Sequence, residues 1–183
     1  MLVKGMQKRE QKLGTLKLAI QTGPDGSTRE VAVREVQAGA SQHMIVVAGP
    51  RKACKDALVG ANLMKMDLDF AMKNVLVVPY ETGVDETELN SRPSGGFADR
   101  PMYETQPYVA QPVGEGWDEY IQAEMTDAVK QNGDKAKKEG IAIVVLNNGK
   151  VLRRGVGTVP WRQMVEQLGE EAKAVAKEGQ FFS

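Results

Sequence analysis

The chain has 183 residues, enough for one domain with a substantial core and too few for two comfortable ones. Hydrophobic residues make up 42%, which argues against wholesale disorder, and 24 basic residues balance 24 acidic ones, so no overall field draws the protein to nucleic acid. One cysteine excludes an internal disulfide, and with one histidine it leaves no structural zinc set, so a reducing compartment fits.

In chain order, Lys4, Lys8, Arg9, Lys12 and Lys17 face only Glu10 among the first 17 residues, a local net charge of +4. Residues 1–12 read as a basic segment, either a solvated face or a juxtamembrane stretch. They are too polar for a signal-peptide core, and no window of the chain approaches 18 continuous apolar residues. Leu16, Leu18 and Ile20, then Val31, Val33 and Val36, alternate on either side of Pro24-Asp25-Gly26, which predicts a β-hairpin. HMIVVAG, 43 to 49, reads as a strand buried on both faces. Cys54, Leu58, Ala61, Met64, Leu68 and Met72 then recur at steps of three and four, the stripe of one amphipathic helix. VLVVPY, 75 to 80, completes a βαβ unit, which makes the two strands parallel.

Residues 81–116 have no periodicity, carry four prolines, and include much of an acidic stretch (80–116) of net charge −5. They read as a long inserted loop, either disordered or ordered against a partner, and Phe97, Tyr103 and Tyr108 favour partial ordering and make it the expected partner-binding element. GWDEYIQAEMTDAVKQ then has helical spacing. IAIVVL leads into Asn148-Gly149, a strong hairpin signal, and KVLRRGVG returns. The closing helix spans 160 to 178 on Trp161, Val165, Leu168, Ala172 and Val175. The order predicts an α/β, thioredoxin-like mixed sheet, βαβ then αββα, with an added N-terminal hairpin. One domain covers 13–178, and 179–183 form a tail.

Such folds place their redox cysteines after the first core strand, where backbone N–H groups and the helix dipole lower a thiol pKa. Cys54 stands there beside Arg51, Lys52 and Lys55, but it has no resolving cysteine and falls on the apolar stripe. That spacing favours a thiol packed as a small hydrophobe. His43 reads as a hydrogen-bonded structural histidine. GVGT, 155 to 158, lacks the third glycine of a dinucleotide motif. Trp117 and Trp161 read as helix-docking residues. Arg153 and Arg154, neighbours on a strand, point to opposite faces, so at least one is exposed. No catalytic, cofactor or metal set emerges, and the residues alone suggest a non-enzymatic protein. Its contact surface would be Phe97, Tyr103, Tyr108, Arg153, Arg154, Lys4, Lys8 and Arg9.

AGP at 48 to 50, VLVVPY at 75 to 80 and GVG-x-x-PW at 155 to 161 follow one another in an order that resembles the soluble C-terminal region of the low photosystem II accumulation family. The resemblance spans about residues 13 to 168. It implies a plastid protein on the stromal side of the thylakoid membrane, with photosystem II core or antenna proteins as partners, no nucleic acid and no small-molecule substrate. The expected function is then a non-enzymatic assembly, repair or docking factor, a redox-inactive scaffold. One alternative is a permanent linker subunit between photosystem II and its antenna. A second is a single-cysteine thiol oxidoreductase using Cys54.

Overall fold

The computed structural model describes residues 2–83 and 101–181. Helix α1 (Leu2–Thr15) occupies the segment read as a basic arm. Its Leu13 is buried, followed by Leu16 just past the helix end, so this end of the chain is docked on the body. The expected hairpin follows, with β1 (Lys17–Gln21) antiparallel to β2 (Thr28–Ala32) and Leu18 opposite Val31. The alternation does not continue. Strand β2 runs directly into α2 (Val33–Gly39), and Val33 and Val36 point inward from one face of that helix. A spacing of three serves a helix as readily as a strand pattern serves neighbouring residues, which is why the periodicity misled there.

Strand β3 (His43–Gly49) is buried throughout and parallel to β4 (Val75–Glu81), with His43 opposite Val75. The predicted helix between them is two helices, α3 (Arg51–Leu63) and α4 (Asp67–Lys73). Lys65 has φ 55°. Its N–H donates to Asn62 O, and the Met66 N–H donates to Ala61 O, each at 3.1 Å. This is a Schellman termination, with Met66 as its buried apolar partner. The break rotates the stripe, so Met66 and Phe70 face the core. Met64, Leu68 and Met72 are instead 38%, 66% and 72% exposed, contrary to the single-helix reading.

Residues 101–116 are not the structureless insertion expected. They contain a 3-10 turn (Met102–Glu104), then a segment laid along β4. The Val77 N–H donates to Tyr108 O at 2.8 Å, and the Ala110 N–H donates to Val77 O at 2.9 Å. Strand β5 (Gln111–Val113) then joins β1 antiparallel. The apolar run Tyr108-Val109-Ala110 is too short, between Pro107 and Pro112, to show a period.

Helices α5 (Trp117–Asn132) and α6 (Lys135–Glu139), strands β6 (Ile141–Val145) and β7 (Val151–Val156), and helix α7 (Trp161–Phe181) complete the chain. Gly149, with φ 88°, supplies the turn that Asn148-Gly149 predicts. The main sheet runs β4-β3-β6-β7, with β6 antiparallel to both neighbours. Met44, Val46 and Ala48 of β3 pack on the side of α1, α5 and the small sheet β2-β1-β5. Ile45 and Val47 pack on the opposite side with Leu58, Phe70, Trp161 and Leu168. Burial on both faces is what makes β3, β4 and β6 continuous apolar runs. Among the described residues no helix is long and apolar enough to cross a membrane.

Candidate active site

Strand β3 ends at Gly49, where a Cβ would stand 2.7 Å from the Gly140 Cα, so only glycine permits this approach of β3 to the start of β6. Pro50 then leads into α3, and Cys54 lies one turn along it. The residue is 2% exposed. Its S–H has three carbonyl acceptors, Tyr80 O at 3.3 Å, Gly49 O at 3.5 Å and Val47 O at 3.7 Å. Only the protonated thiol can donate to them. Burial, and next the charge of Glu81, push its pKa up to about 12. The helix start does not activate this sulfur at rest, because desolvation and acidic neighbours outweigh the dipole.

Cys54 forms part of the floor of a cleft of about 610 Å³, in the range of small-ligand sites. Its walls come from the end of β4 (Pro79, Tyr80, Glu81), the 3-10 turn (Glu104), β5 and the start of α5. Glu81, Glu104, Glu115, Asp118 and Glu119 line it, with no lysine, arginine or histidine among the lining residues. The Tyr80 hydroxyl donates to Asp118 Oδ1 at 3.3 Å, and burial beside that carboxylate raises the phenol pKa to about 12. Gln122 Nε2 donates to the same carboxylate, and Lys12 pairs with Glu119. Gln111 also lines the cleft, 9% exposed, and its Nε2 has no acceptor among the described residues. No group of three or more metal-ligating side chains stands together among the described residues.

Of the residues expected to form a contact surface, the described side chains of Arg9, Arg153, Arg154, Tyr103 and Tyr108 are placed as follows. Arg9 and Arg154 are drawn inward to Glu124 of α5. Arg9 Nη1 lies 3.5 Å from its carboxylate and donates to Asp127 at 2.7 Å, while Arg154 donates to Glu124 through Nε and Nη2 at 2.7 and 3.0 Å. Arg153 points the other way and donates to Gln167 at 2.9 Å, the opposition that a strand imposes. Tyr108 is buried against Phe70, with ring centroids 4.7 Å apart, and Tyr103 is half-buried on the same core. Lys8 stays exposed. Lys4 lies in α1, and Phe97 falls outside the described residues.

His43 is buried, and its Nδ1 accepts from the Asn147 N–H at 2.9 Å, as a structural histidine would. Trp117 and Trp161 donate their indole N–H groups to Lys17 O and Ala57 O at 2.8 and 3.0 Å, docking two helices. In the GVGT stretch, Gly157 has φ 93° and donates to Gly140 O at 3.0 Å, turning β7 towards α7. The cleft acids and Gln111 were missed as a site. The acidity of residues 80–116 was the available signal, but Glu81, Glu104, Gln111 and Asp118 meet only through the fold.

No protein-family model and no curated protein sequence matches the chain. Among solved structures, it is similar to the mitochondrial 2-Cys peroxiredoxin of Plasmodium falciparum, at 11% identity, 90% of this chain, 92% of that one and a TM-score of 0.51. The fold is thioredoxin-like. The Plasmodium yoelii thioredoxin peroxidase I aligns over 92% of this chain and 89% of its own, at 10% identity and a TM-score of 0.49. The reduced 2-Cys peroxiredoxin of Plasmodium vivax aligns over 86% and 79%, at 12% and 0.47.

The Plasmodium falciparum structure, a peroxiredoxin with this thioredoxin-like fold, corrects the expectation of a non-enzymatic photosystem II factor. That reading treated the frame as redox-inactive because Cys54 has no resolving cysteine and falls on the apolar stripe. The thioredoxin-like fold is shared with that peroxiredoxin, and here it brings the one sulfur to the lining of a cleft.

Proposed function

We propose that the chain is a single-cysteine thiol oxidoreductase, with Cys54 as the reacting sulfur. The observation that carries this reading is the position of Cys54, in the first turn of α3 just after β3 and in the lining of a cleft of about 610 Å³. The peroxiredoxin-like frame supports it at the level of the fold. At rest the thiol is held protonated by its burial. With its pKa pushed up to about 12, the thiol carries almost no thiolate at neutral pH. Reaction therefore begins when the S–H leaves its carbonyl acceptors and the cleft floor opens to water.

The thiolate then attacks one oxygen of a hydroperoxide. An S–O bond forms, the O–O bond breaks, and the product is the Cys54 sulfenic acid with release of an alcohol or water. A thiol from a second molecule condenses with the sulfenic acid, releasing water and leaving a mixed disulfide. A second such thiol restores Cys54 and leaves as a disulfide. The chain offers no resolving cysteine of its own, so both thiols are external.

Intact-mass spectrometry after peroxide treatment, with a sulfenate trap present, tests this. Trapping is expected on the native chain and not on Cys54→Ser. A native chain that is never oxidised at Cys54, and whose thiol is labelled only on unfolding, overturns the reading.

Membership of the low photosystem II accumulation family, a place on the stromal face of the thylakoid and photosystem II core or antenna proteins as partners form part of this proposal. They are supported by AGP, VLVVPY and GVG-x-x-PW alone. Fractionation of plastids with an antibody against the chain is expected to find it on thylakoids, and recovery wholly elsewhere removes the assignment.

A further inference from the structure

Cys54 can react only after its S–H leaves the carbonyl of Tyr80, and Tyr80 is tied down at its other end. We propose that Tyr80 is a positioning residue whose hydroxyl, anchored on Asp118, latches the end of β4 over the sulfur and sets how often the thiol becomes accessible. The inference deepens the thiol oxidoreductase reading and takes its redox meaning from it, whereas the latch itself is read by any thiol reagent.

The hydrogen bonds of one residue carry it. Tyr80 O accepts from the Cys54 S–H at 3.3 Å, the shortest of the three contacts of that sulfur. The hydroxyl of the same residue donates to Asp118 Oδ1, also at 3.3 Å. Tyr80 therefore joins the start of α3 to the first turn of α5, and Cys54, Tyr80 and Asp118 all line the same cleft. The anchor is itself held, because Gln122 Nε2 donates to both oxygens of the Asp118 carboxylate at 3.2 and 3.1 Å. Between its two ends the Tyr80 side chain is partly buried against the core.

The strand end under the latch is the kind of piece that opens locally. Among the described residues, β4 is bridged on its outer side at Val77, by Val109, and from Pro79 to Glu81 it pairs with β3 alone. The Ala110 N–H donates to Val77 O at 2.9 Å, and the Thr82 N–H donates to Gly49 O at 2.8 Å. Those two bonds bound a short segment, and lifting it takes Tyr80 O away from the sulfur without unfolding the sheet.

The test is labelling of Cys54 in the full chain by a small thiol reagent, as a function of urea. Wild type is expected to show a plateau at low urea, where local opening exposes the sulfur, then a steep branch where global unfolding takes over. Tyr80→Phe keeps the ring and loses the donor, and is expected to raise the plateau about three- to tenfold. Asp118→Ala should match it, whereas Asp118→Asn keeps an acceptor oxygen and should stay near wild type. The double variant Tyr80→Phe/Asp118→Ala should be no faster than either single one, because both remove the same bond. Lys65→Val, which strains a left-handed residue beyond the far end of α3, should raise the steep branch and leave the plateau. A plateau unmoved by Tyr80→Phe, a double variant that multiplies the two effects, or a wild-type thiol labelled only along the steep branch overturns the latch.

Peroxide separates this inference from the reading beneath it. A chain that labels from the plateau but never forms the sulfenic acid removes the thiol oxidoreductase reading and leaves the latch standing. A sulfenic acid that forms at a rate changed by neither Tyr80→Phe nor Asp118→Ala does the reverse.

Discussion

The imidazole of His43 sits between two demands, since its Nδ1 must stay unprotonated to accept from Asn147 and its ring is closed off from water. Desolvation lowers its pKa below the ordinary value of 6.5. The unfolded chain takes up the proton near 6.5 while the folded chain resists it, so between the two values the unfolded state holds more protons. Stability is therefore complete above about 6.5 and falls as the pH drops towards the folded value. Urea unfolding of the native chain at pH 7.5 and 5.5 is expected to show this loss. In His43→Gln the loss should shrink, with lower stability at pH 7.5, because the amide replaces the acceptor imperfectly. An unchanged difference between the two pH values would assign the acid sensitivity to other groups. Cys54 follows the same physics with the opposite charge, since burial removes the thiolate as it removes the imidazolium.

At the scale of elements, Lys65 is the clearest point of strain. A side chain at φ 55° costs about 1 kcal/mol or more relative to glycine, which C′ of a Schellman termination ordinarily carries. Lys65→Gly is expected to raise stability by roughly 0.5–1 kcal/mol, because the extra freedom of glycine in the unfolded chain offsets part of the relief. Lys65→Val should lower it, and a urea series reads both. The break between α3 and α4 also shows why the sequence was legible in some places only. Strands β3, β4 and β6 announced themselves because both faces are buried, and Asn148-Gly149 fixed the hairpin. The stripe through Met64, Leu68 and Met72 was equally regular, but a single residue in the left-handed region redirected it. Helix α1 was hidden by its charges, which the fold uses as ion pairs. The cleft was least legible, because Cys54, Glu81, Gln111 and Asp118 come from separate elements and their encounter is purely tertiary.

For the whole molecule, the joint between the first helix and the C-terminal half is the carboxylate of Glu124. Its side chain is 1% exposed and receives Arg154 of β7 through two hydrogen bonds and Arg9 of α1 at 3.5 Å. Beside it, the Val151 N–H donates to Glu10 at 3.2 Å, a second tie from β7 back to α1. Glu124→Ala would leave two guanidinium groups without their shared counter-charge. Removing one partner of a fully buried pair costs about 3–5 kcal/mol, but both arginines here reach solvent, so a loss of about 1–3 kcal/mol is expected. Arg9→Ala should cost less, because Glu124 keeps the bidentate Arg154. Limited proteolysis at Lys8 and Arg9 separates a local from a global effect. If Glu124 clamps α1 to the body, Glu124→Ala speeds cleavage there before it lowers the urea midpoint in proportion. If Leu13 and Leu16 hold the helix by burial alone, cleavage stays slow until the whole domain unfolds.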